Sequence, residues 1–176
     1  AAQTIMALQT IASRTVDPIE AVVVSTCMVR AGEAFNVIPD TVSLTGTIRT
    51  LSEPVRAIAK RRLVEIAEGT AKVFGASARV DFEGDVPATI NDPVKTEFAC
   101  GVAREVAGAQ NVIDDMRPFM GAEDFAHMLN RRPGAYILLG NGNSAALHNA
   151  AYNFNDAAIP YGVSYLVRLA ETAMPA

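Results

Sequence analysis

The chain has 176 residues, of which half are apolar and 19% are charged, and its formal net charge is -4. This composition is typical of a globular protein in water, and it excludes the extended basic surface that attracts nucleic acid. No run reaches the ~18 consecutive apolar residues that a membrane-spanning helix requires, and no charged, apolar and small-residue leader opens the chain, so we expect neither nucleic acid nor a membrane as a partner.

The first half of the chain carries the patterns of two helices and three strands. Ser52 is a natural N-cap ahead of apolar residues at helical spacing, and Gly75 is a natural terminator. The opening helix has no start signal of its own, so we expect the chain to be a piece of a longer protein. The predicted segments are a helix to about residue 13, strands over 21–29 and 41–50, a helix over 53–74 and a strand over 78–82.

This order of elements is that of a ferredoxin-like βαββαβ unit that lacks its first strand. In such a unit the first strand is central, so its absence would leave buried backbone donors and acceptors without partners. We therefore expect a partial α+β domain over residues 1–84, and we expect it to fold poorly by itself.

The second half of the chain has a different texture. The segment 84–93 is rich in turn residues and is predicted to be a linker. Beyond it, helices alternate with short apolar strands, which is typical of an α/β layer. We predict a second domain over 85–176. Its predicted elements are helices over 94–106, 122–129 and 157–174, and strands over 116–120 and 135–139.

The two cysteines, Cys27 and Cys100, lie far apart in the sequence. Cys27 falls in the first strand-like apolar run, where a buried free thiol is the ordinary expectation. Both thiols are therefore predicted to be reduced, and the cytoplasm is the predicted location.

Four polar residues are candidates for a functional site. His148, one of two histidines, lies in a glycine-rich loop after an apolar run, where it is a metal ligand, a general acid or base, or a solvated imidazole. Glu123 lies at a predicted helix start, where acidic groups also stabilise the helix dipole. Asn36 also fits a turn, and Arg49 also fits a solvated charge at a strand edge.

Four segments that contain these residues recur in a known order. They are 36–40 (Asn-Val-Ile-Pro-Asp), 46–49 (Gly-Thr-Ile-Arg), 121–125 (Gly-Ala-Glu-Asp-Phe) and the histidine loop 140–156. In order and spacing the chain resembles the M20 metallopeptidase and amidohydrolase family, in particular its aminoacylase, hippurate hydrolase and auxin-conjugate hydrolase branch. The resemblance implies that 1–84 is a lid and dimerisation domain, and that 85–176 is the C-terminal part of a catalytic domain.

The resemblance also implies the chemistry. Asn36 and Arg49 would bind the substrate carboxylate, Glu123 would line the substrate site, and His148 would bind one of two divalent metal ions. Zinc or manganese is expected, with cobalt or nickel as alternatives. Asn149, Asn155 and Asp156 lie near enough in sequence to hold the second nitrogen of the imidazole.

In this family, metal-activated water attacks the acyl carbonyl, and a glutamate acts as general base. The implied reaction is hydrolysis of an N-acyl amino acid, and the implied assembly is a homodimer through the lid, with 21–29 as the candidate edge strand.

One departure from the family pattern limits what these residues would do alone. The remaining metal ligands of the family and its general base belong to motifs that precede the first residue here. A single histidine cannot hold a catalytic metal that takes about three protein ligands. The chain alone is therefore predicted to be inactive, within a parent about twice as long. A non-catalytic dimerisation module, a degenerate homologue without a site and an unrelated small-molecule-binding domain remain as alternatives.

Overall fold

The computed structural model describes residues 1–175 and contains two compact units of mixed helix and sheet. Unit 1 comprises residues 1–88 together with 118–122, and unit 2 comprises the rest of the described chain. The α/β class is as predicted. Unit 1 consists of α1 (Ala2–Leu8), a π-helical turn (Ile11–Thr15), β1 (Val22–Arg30), β2 (Ser43–Thr50) and α2 (Glu53–Val73).

Helix α2 begins and ends where its terminal residues predict. Ser52 is extended at the N-cap, and a proline occupies the first turn. At the other end Gly75 has a φ of 70°, which a residue with a side chain rarely adopts. The Gly75 N–H donates to the carbonyl of Lys72, and the Ala76 N–H donates to that of Ala71. These two bonds form a Schellman motif, which satisfies carbonyls that the helix leaves open.

The sheet of unit 1 is an antiparallel pair with a bulge. Val22 pairs with Thr50 and Arg30 with Ser43, and the register shifts between Thr26 and Met28. Cys27 lies at this shift and is exposed, so its predicted burial is wrong. The reason is that a bulge inserts one unpaired residue and re-aims the side chains around it.

The core of unit 1 lies between the sheet and its helices. Ile11 and Ala59 are completely buried. The π-helical turn thus contributes to the core although it interrupts the predicted helix at residue 8. The buried cluster comprises Leu8, Ile11, Val16, Val24, Val55 and Ala59.

Unit 2 is built around a pair of helices. Asp92 caps the first of them, because its carboxylate accepts the Lys95 N–H at 2.9 Å. Arg168 and Glu105 join the two helices at 2.8 Å. The elements of unit 2 are α3 (Pro93–Ala107), a 3₁₀ turn (Ala109–Asn111), α4 (Ala126–Leu129), a 3₁₀ turn (Asp156–Ala158) and α5 (Ile159–Ala173).

Three predicted strands, 78–82, 116–120 and 135–139, are not strands in the described chain. A strand exists only where a neighbouring strand accepts its backbone hydrogen bonds, and β1 and β2 are the strands that residues 1–175 contain. Near the segment 78–82, side-chain contacts take the place of strand pairing. Asp85 binds Lys60 at 2.8 Å, and Lys60 lies 4.9 Å from the centre of the Phe82 ring.

Large apolar side chains remain on the surface of unit 2. Helix α5 buries none of its residues, and Leu166 is 63% exposed. Among residues 1–175, none of the helices is both long and apolar enough to span a bilayer.

Candidate functional site

The loop that carries His148 is held together by its own asparagine and serine side chains. Asn141 Nδ2 donates to the carbonyl of Asn153 at 2.9 Å, and the Asn155 N–H donates to Asn141 Oδ1 at 2.7 Å. The Ser144 hydroxyl lies 3.0 Å from the same Asn153 carbonyl and 3.1 Å from the Asn153 N–H. These bonds close the two arms of the loop on each other, so the segment between them is presented as a defined turn.

His148 lies at the tip of this loop with a strained backbone. Its φ is 66°, and in the described part of the chain it is the one residue other than glycine with a positive φ. The left-handed region costs an ordinary residue about 1–2 kcal/mol. The side chain is exposed and makes no hydrogen bond to residues 1–175. The loop therefore holds a free imidazole towards the surface at a cost in backbone energy, as functional residues often are held.

The asparagines beside His148 serve the backbone instead of the imidazole. Asn149 Oδ1 accepts the Ala151 N–H at 2.8 Å, and Asn155 Oδ1 accepts the Ala157 N–H at 3.1 Å. Their oxygens thus cap the turns that follow His148 and shape the loop.

Glu123 lies just before α4, and both of its carboxylate oxygens are anchored. Oε1 accepts the backbone N–H of Phe125 at 3.3 Å, and Oε2 accepts the hydroxyl of Tyr136 at 2.8 Å. The backbone carbonyl of Glu123 accepts the Thr89 hydroxyl at 3.4 Å. The predicted helix over 122–129 is shorter than expected, because turns formed by Glu123 and Asp124 replace its first part.

Tyr136 is fixed in turn by Asn91. The Asn91 amide donates to the Tyr136 carbonyl at 2.8 Å and accepts the Tyr136 N–H at 2.8 Å. The Tyr136 ring also packs on Phe125, with 5.5 Å between the ring centres. The Asn91 side chain thus supplies to Tyr136 the pair of backbone hydrogen bonds that a neighbouring strand would supply.

These contacts shift two acid–base equilibria in opposite directions. The Tyr136 hydroxyl, and after it the Phe125 N–H, lower the pKa of Glu123 below its ordinary value, because both stabilise the ionised carboxylate. The same hydrogen bond raises the pKa of Tyr136, because the phenolate would face a negative charge. Near neutral pH the pair is therefore a neutral phenol that donates to a carboxylate.

Asn36 and Arg49 belong to unit 1. Arg49, at the end of β2, donates from one guanidinium nitrogen to the carbonyl of Met120 at 2.5 Å. Its remaining N–H groups are left for other acceptors, because a guanidinium carries five donors. Asn36 lies in an exposed turn beside Phe35, which is fully exposed.

Within each unit of the described structure, the two candidate residues are not joined by a hydrogen bond. Within unit 1 no hydrogen bond joins Asn36 to Arg49, and within unit 2 none joins Glu123 to His148. Residues 1–175 contain no group of three histidine, cysteine or acidic side chains placed to hold a metal ion. His148 fits one ligand of such an ion.

The sequence patterns do not single out Tyr136, which binds Glu123, or Asn91, which binds Tyr136. Tyr136 lies in an apolar run that predicts a strand, and Asn91 lies in a turn-rich segment that predicts a linker. They are 45 residues apart, so only the folded chain brings them together.

Comparison with known proteins gives consistent matches. The model of peptidase family M20/M25/M40 matches residues 3–172. The chain is 36% identical to a hippurate hydrolase of Campylobacter jejuni, with 94% of this chain and 43% of that protein covered. It is 34% identical to an N-acetyl-L-cysteine deacetylase of Bacillus subtilis, with 90% and 38% covered. The chain thus spans less than half of the length of these relatives.

A solved structure matches both halves of the fold. It is a Bacillus subtilis protein described as a dinuclear metal binding peptidase of the M20 family. The TM-score is 0.76 at 29% identity, with 98% of this chain and 44% of that chain covered. The family match over nearly the whole chain and the agreement in structure lead to one conclusion. The chain belongs to peptidase family M20/M25/M40.

Proposed function

We propose that this chain is part of a metal-dependent amidohydrolase that cleaves N-acyl amino acids of the hippurate or N-acetyl amino acid type. The observation that carries the proposal is His148, whose free imidazole stands on a strained backbone within the matched family region. The relatives named as a hippurate hydrolase and an N-acetyl-L-cysteine deacetylase support the class of substrate.

In this proposal His148 is one ligand of a pair of divalent metal ions. A neutral imidazole suits zinc or manganese, and cobalt and nickel are also compatible. When bound, such ions lower the pKa of a water molecule and polarise the acyl carbonyl. The role of His148 is to present one nitrogen donor at a fixed place, which the hydrogen-bonded loop around it supports.

The polar residues of this chain would orient the substrate. Arg49 has guanidinium donors left beside its bond to Met120, and two such donors match the two oxygens of a carboxylate. The exposed Asn36 amide would donate to the same carboxylate. Glu123, which stays ionised, would accept a hydrogen bond from the amide N–H of the substrate.

The assembly and location follow from the same proposal. We place the protein in the cytoplasm as a homodimer that forms through unit 1, with residues 1–84 as the lid and 85–176 as part of the catalytic domain. Strand β1 pairs with β2 on one side. Its other edge has no strand neighbour within residues 1–175 and so offers backbone groups to a second copy.

The 176 residues alone are proposed to be inactive, because His148 supplies one donor where a catalytic metal takes about three. The test compares hydrolysis of hippurate and N-acetyl amino acids, with added manganese, by this chain and by the full-length protein that contains it. We expect chelator-sensitive turnover from the full-length protein only.

Turnover by the chain alone that a chelator abolishes would refute the proposed inactivity. A full-length protein that folds and dimerises, but hydrolyses neither substrate at any tested metal concentration, would refute the amidohydrolase proposal and favour a non-catalytic dimerisation module.

A further inference from the structure

We propose that Tyr136 is a positioning residue. Its hydroxyl fixes the Glu123 carboxylate in the one orientation that accepts a hydrogen bond from the ligand. This inference rests on the proposed function, because it takes Glu123 to be a substrate-binding group. It adds a residue that none of the sequence motifs contains, and it assigns the kind of ligand group that Glu123 accepts.

The two carboxylate oxygens of Glu123 are held from different segments. The Phe125 N–H holds Oε1 at 3.3 Å from the start of α4, and the Tyr136 hydroxyl holds Oε2 at 2.8 Å from the apolar run that follows. A carboxylate bound at one oxygen can still rotate about its last torsion, which has a broad energy profile. Two anchors remove that freedom, and the shorter of them is Tyr136.

Tyr136 is itself placed more firmly than an exposed tyrosine. Asn91 bonds both its backbone N–H and its carbonyl at 2.8 Å, and its ring packs on Phe125. A tyrosine side chain has two torsions, so its hydroxyl is a rigid donor once the backbone and ring are fixed. The contacts of Asn91 with Tyr136 and of Tyr136 with Glu123 are therefore formed before a ligand binds.

The groups around Glu123 indicate which ligand it accepts. Within residues 1–175 no lysine, arginine or histidine forms an ion pair with it, and Asp124 is the other titratable group that contacts it besides Tyr136. A carboxylate has about four acceptor positions; Tyr136 and Phe125 occupy two of them, and Asp124 also hydrogen-bonds to the group. The acceptor positions that remain carry negative charge and accept only hydrogen bonds. They therefore suit an amide N–H or an ammonium group of the ligand and repel a carboxylate.

The test uses Tyr136→Phe, which keeps the ring and removes the hydroxyl. The matched control is Tyr161→Phe, because Tyr161 is 53% exposed and its hydroxyl makes no hydrogen bond within residues 1–175. The first readout is the pKa of the Glu123 side chain in the full-length protein, measured from its carboxyl ¹³C signal in a pH titration. The second is the KM for hippurate of the full-length protein, with Glu123→Gln measured beside it.

We expect Tyr136→Phe to move the pKa of Glu123 upwards, towards its ordinary value of 4.5, and Tyr161→Phe to leave it unchanged. In the full-length protein, Tyr136→Phe should raise the KM for hippurate roughly three- to tenfold, with kcat nearly unchanged, because a ground-state contact is weakened. Near-UV circular dichroism checks that each variant keeps its packing.

The two readouts separate the two claims. A pKa of Glu123 that does not move in a folded Tyr136→Phe variant overturns the role of Tyr136, whatever the kinetics show. A pKa that moves, together with an unchanged KM for Glu123→Gln, supports the coupling of Tyr136 to Glu123 and overturns the proposed substrate contact of Glu123.

Discussion

At the scale of single residues, His148 combines a backbone that favours glycine with a side chain that makes no hydrogen bond to the described chain. Sequence alone predicts where it lies, since a histidine in a glycine-rich loop is a recognisable pattern. Sequence does not predict the left-handed conformation of His148, because that conformation follows from the hydrogen bonds between the arms of the loop. Sequence also does not predict the hydrogen bond between Glu123 and Tyr136.

Substitution of His148 separates backbone strain from side-chain function. His148→Gly removes the side chain and relieves the strain, so we expect the free energy of unfolding to stay equal or rise by up to about 1 kcal/mol. His148→Ala keeps the strain and should not raise stability. Urea unfolding of both variants measures the difference. A His148→Gly variant that is less stable than His148→Ala would show that the backbone is not strained there.

The Glu123–Tyr136 pair predicts how stability depends on pH. The pKa of Glu123 is lowered on folding, so its contribution is present above its ordinary value of 4.5 and is lost as pH falls through the lower folded value. The pKa of Tyr136 is raised on folding, so its contribution is present below 10.0 and is lost as pH rises through the higher folded value.

The difference in unfolding free energy between wild type and Tyr136→Phe should therefore be largest on a plateau from about pH 5 to 9 and should shrink on both sides. Urea titrations at several pH values would show it. A difference that is constant from pH 3 to 11 would indicate that the hydroxyl does not interact with the ionised carboxylate.

At the scale of elements, helices are predicted better than strands. The ends of α2 are local signals, and the structure has α2 at the predicted place. The three missing strands carry the right apolar pattern, but a strand depends on a neighbour that its own residues do not specify. Side chains bind their backbone instead: Asn91 binds Tyr136, and Arg49 binds Met120.

The bulge in the sheet explains why position 46, in the Gly-Thr-Ile-Arg segment, holds a glycine. A Cβ on Gly46 would lie 2.0 Å from the carbonyl oxygen of Ser25, whereas one on Gly69 in α2 would contact nothing within 4 Å. We expect Gly46→Ala to lower the free energy of unfolding by roughly 2 kcal/mol or more, because backbone must shift. The control Gly69→Ala should raise it by about 0.5–1 kcal/mol, because alanine favours a helix.

Chemical denaturation of the two glycine variants measures both effects. Equal stability of Gly46→Ala and wild type would contradict the close approach of the two backbones at the bulge.

At the scale of the whole molecule, the sequence predicts the family and the mixed class, and both are confirmed. It does not predict that residues 118–122 return to unit 1, because that return depends on contacts such as the one between Arg49 and Met120, which are 71 residues apart. The lid and catalytic roles of the two units, the dimer and the four site residues remain predictions.

The metal content of the full-length protein shows whether His148 binds a metal ion of an amidohydrolase. The chain has two histidines, so His127→Ala, on the exposed side of α4, is the matched control for His148→Ala. We expect His148→Ala to lose about one metal ion per subunit and most hippurate hydrolysis, and His127→Ala to keep both. A folded His148→Ala variant with the metal content and turnover of the wild type would show that His148 is not a metal ligand.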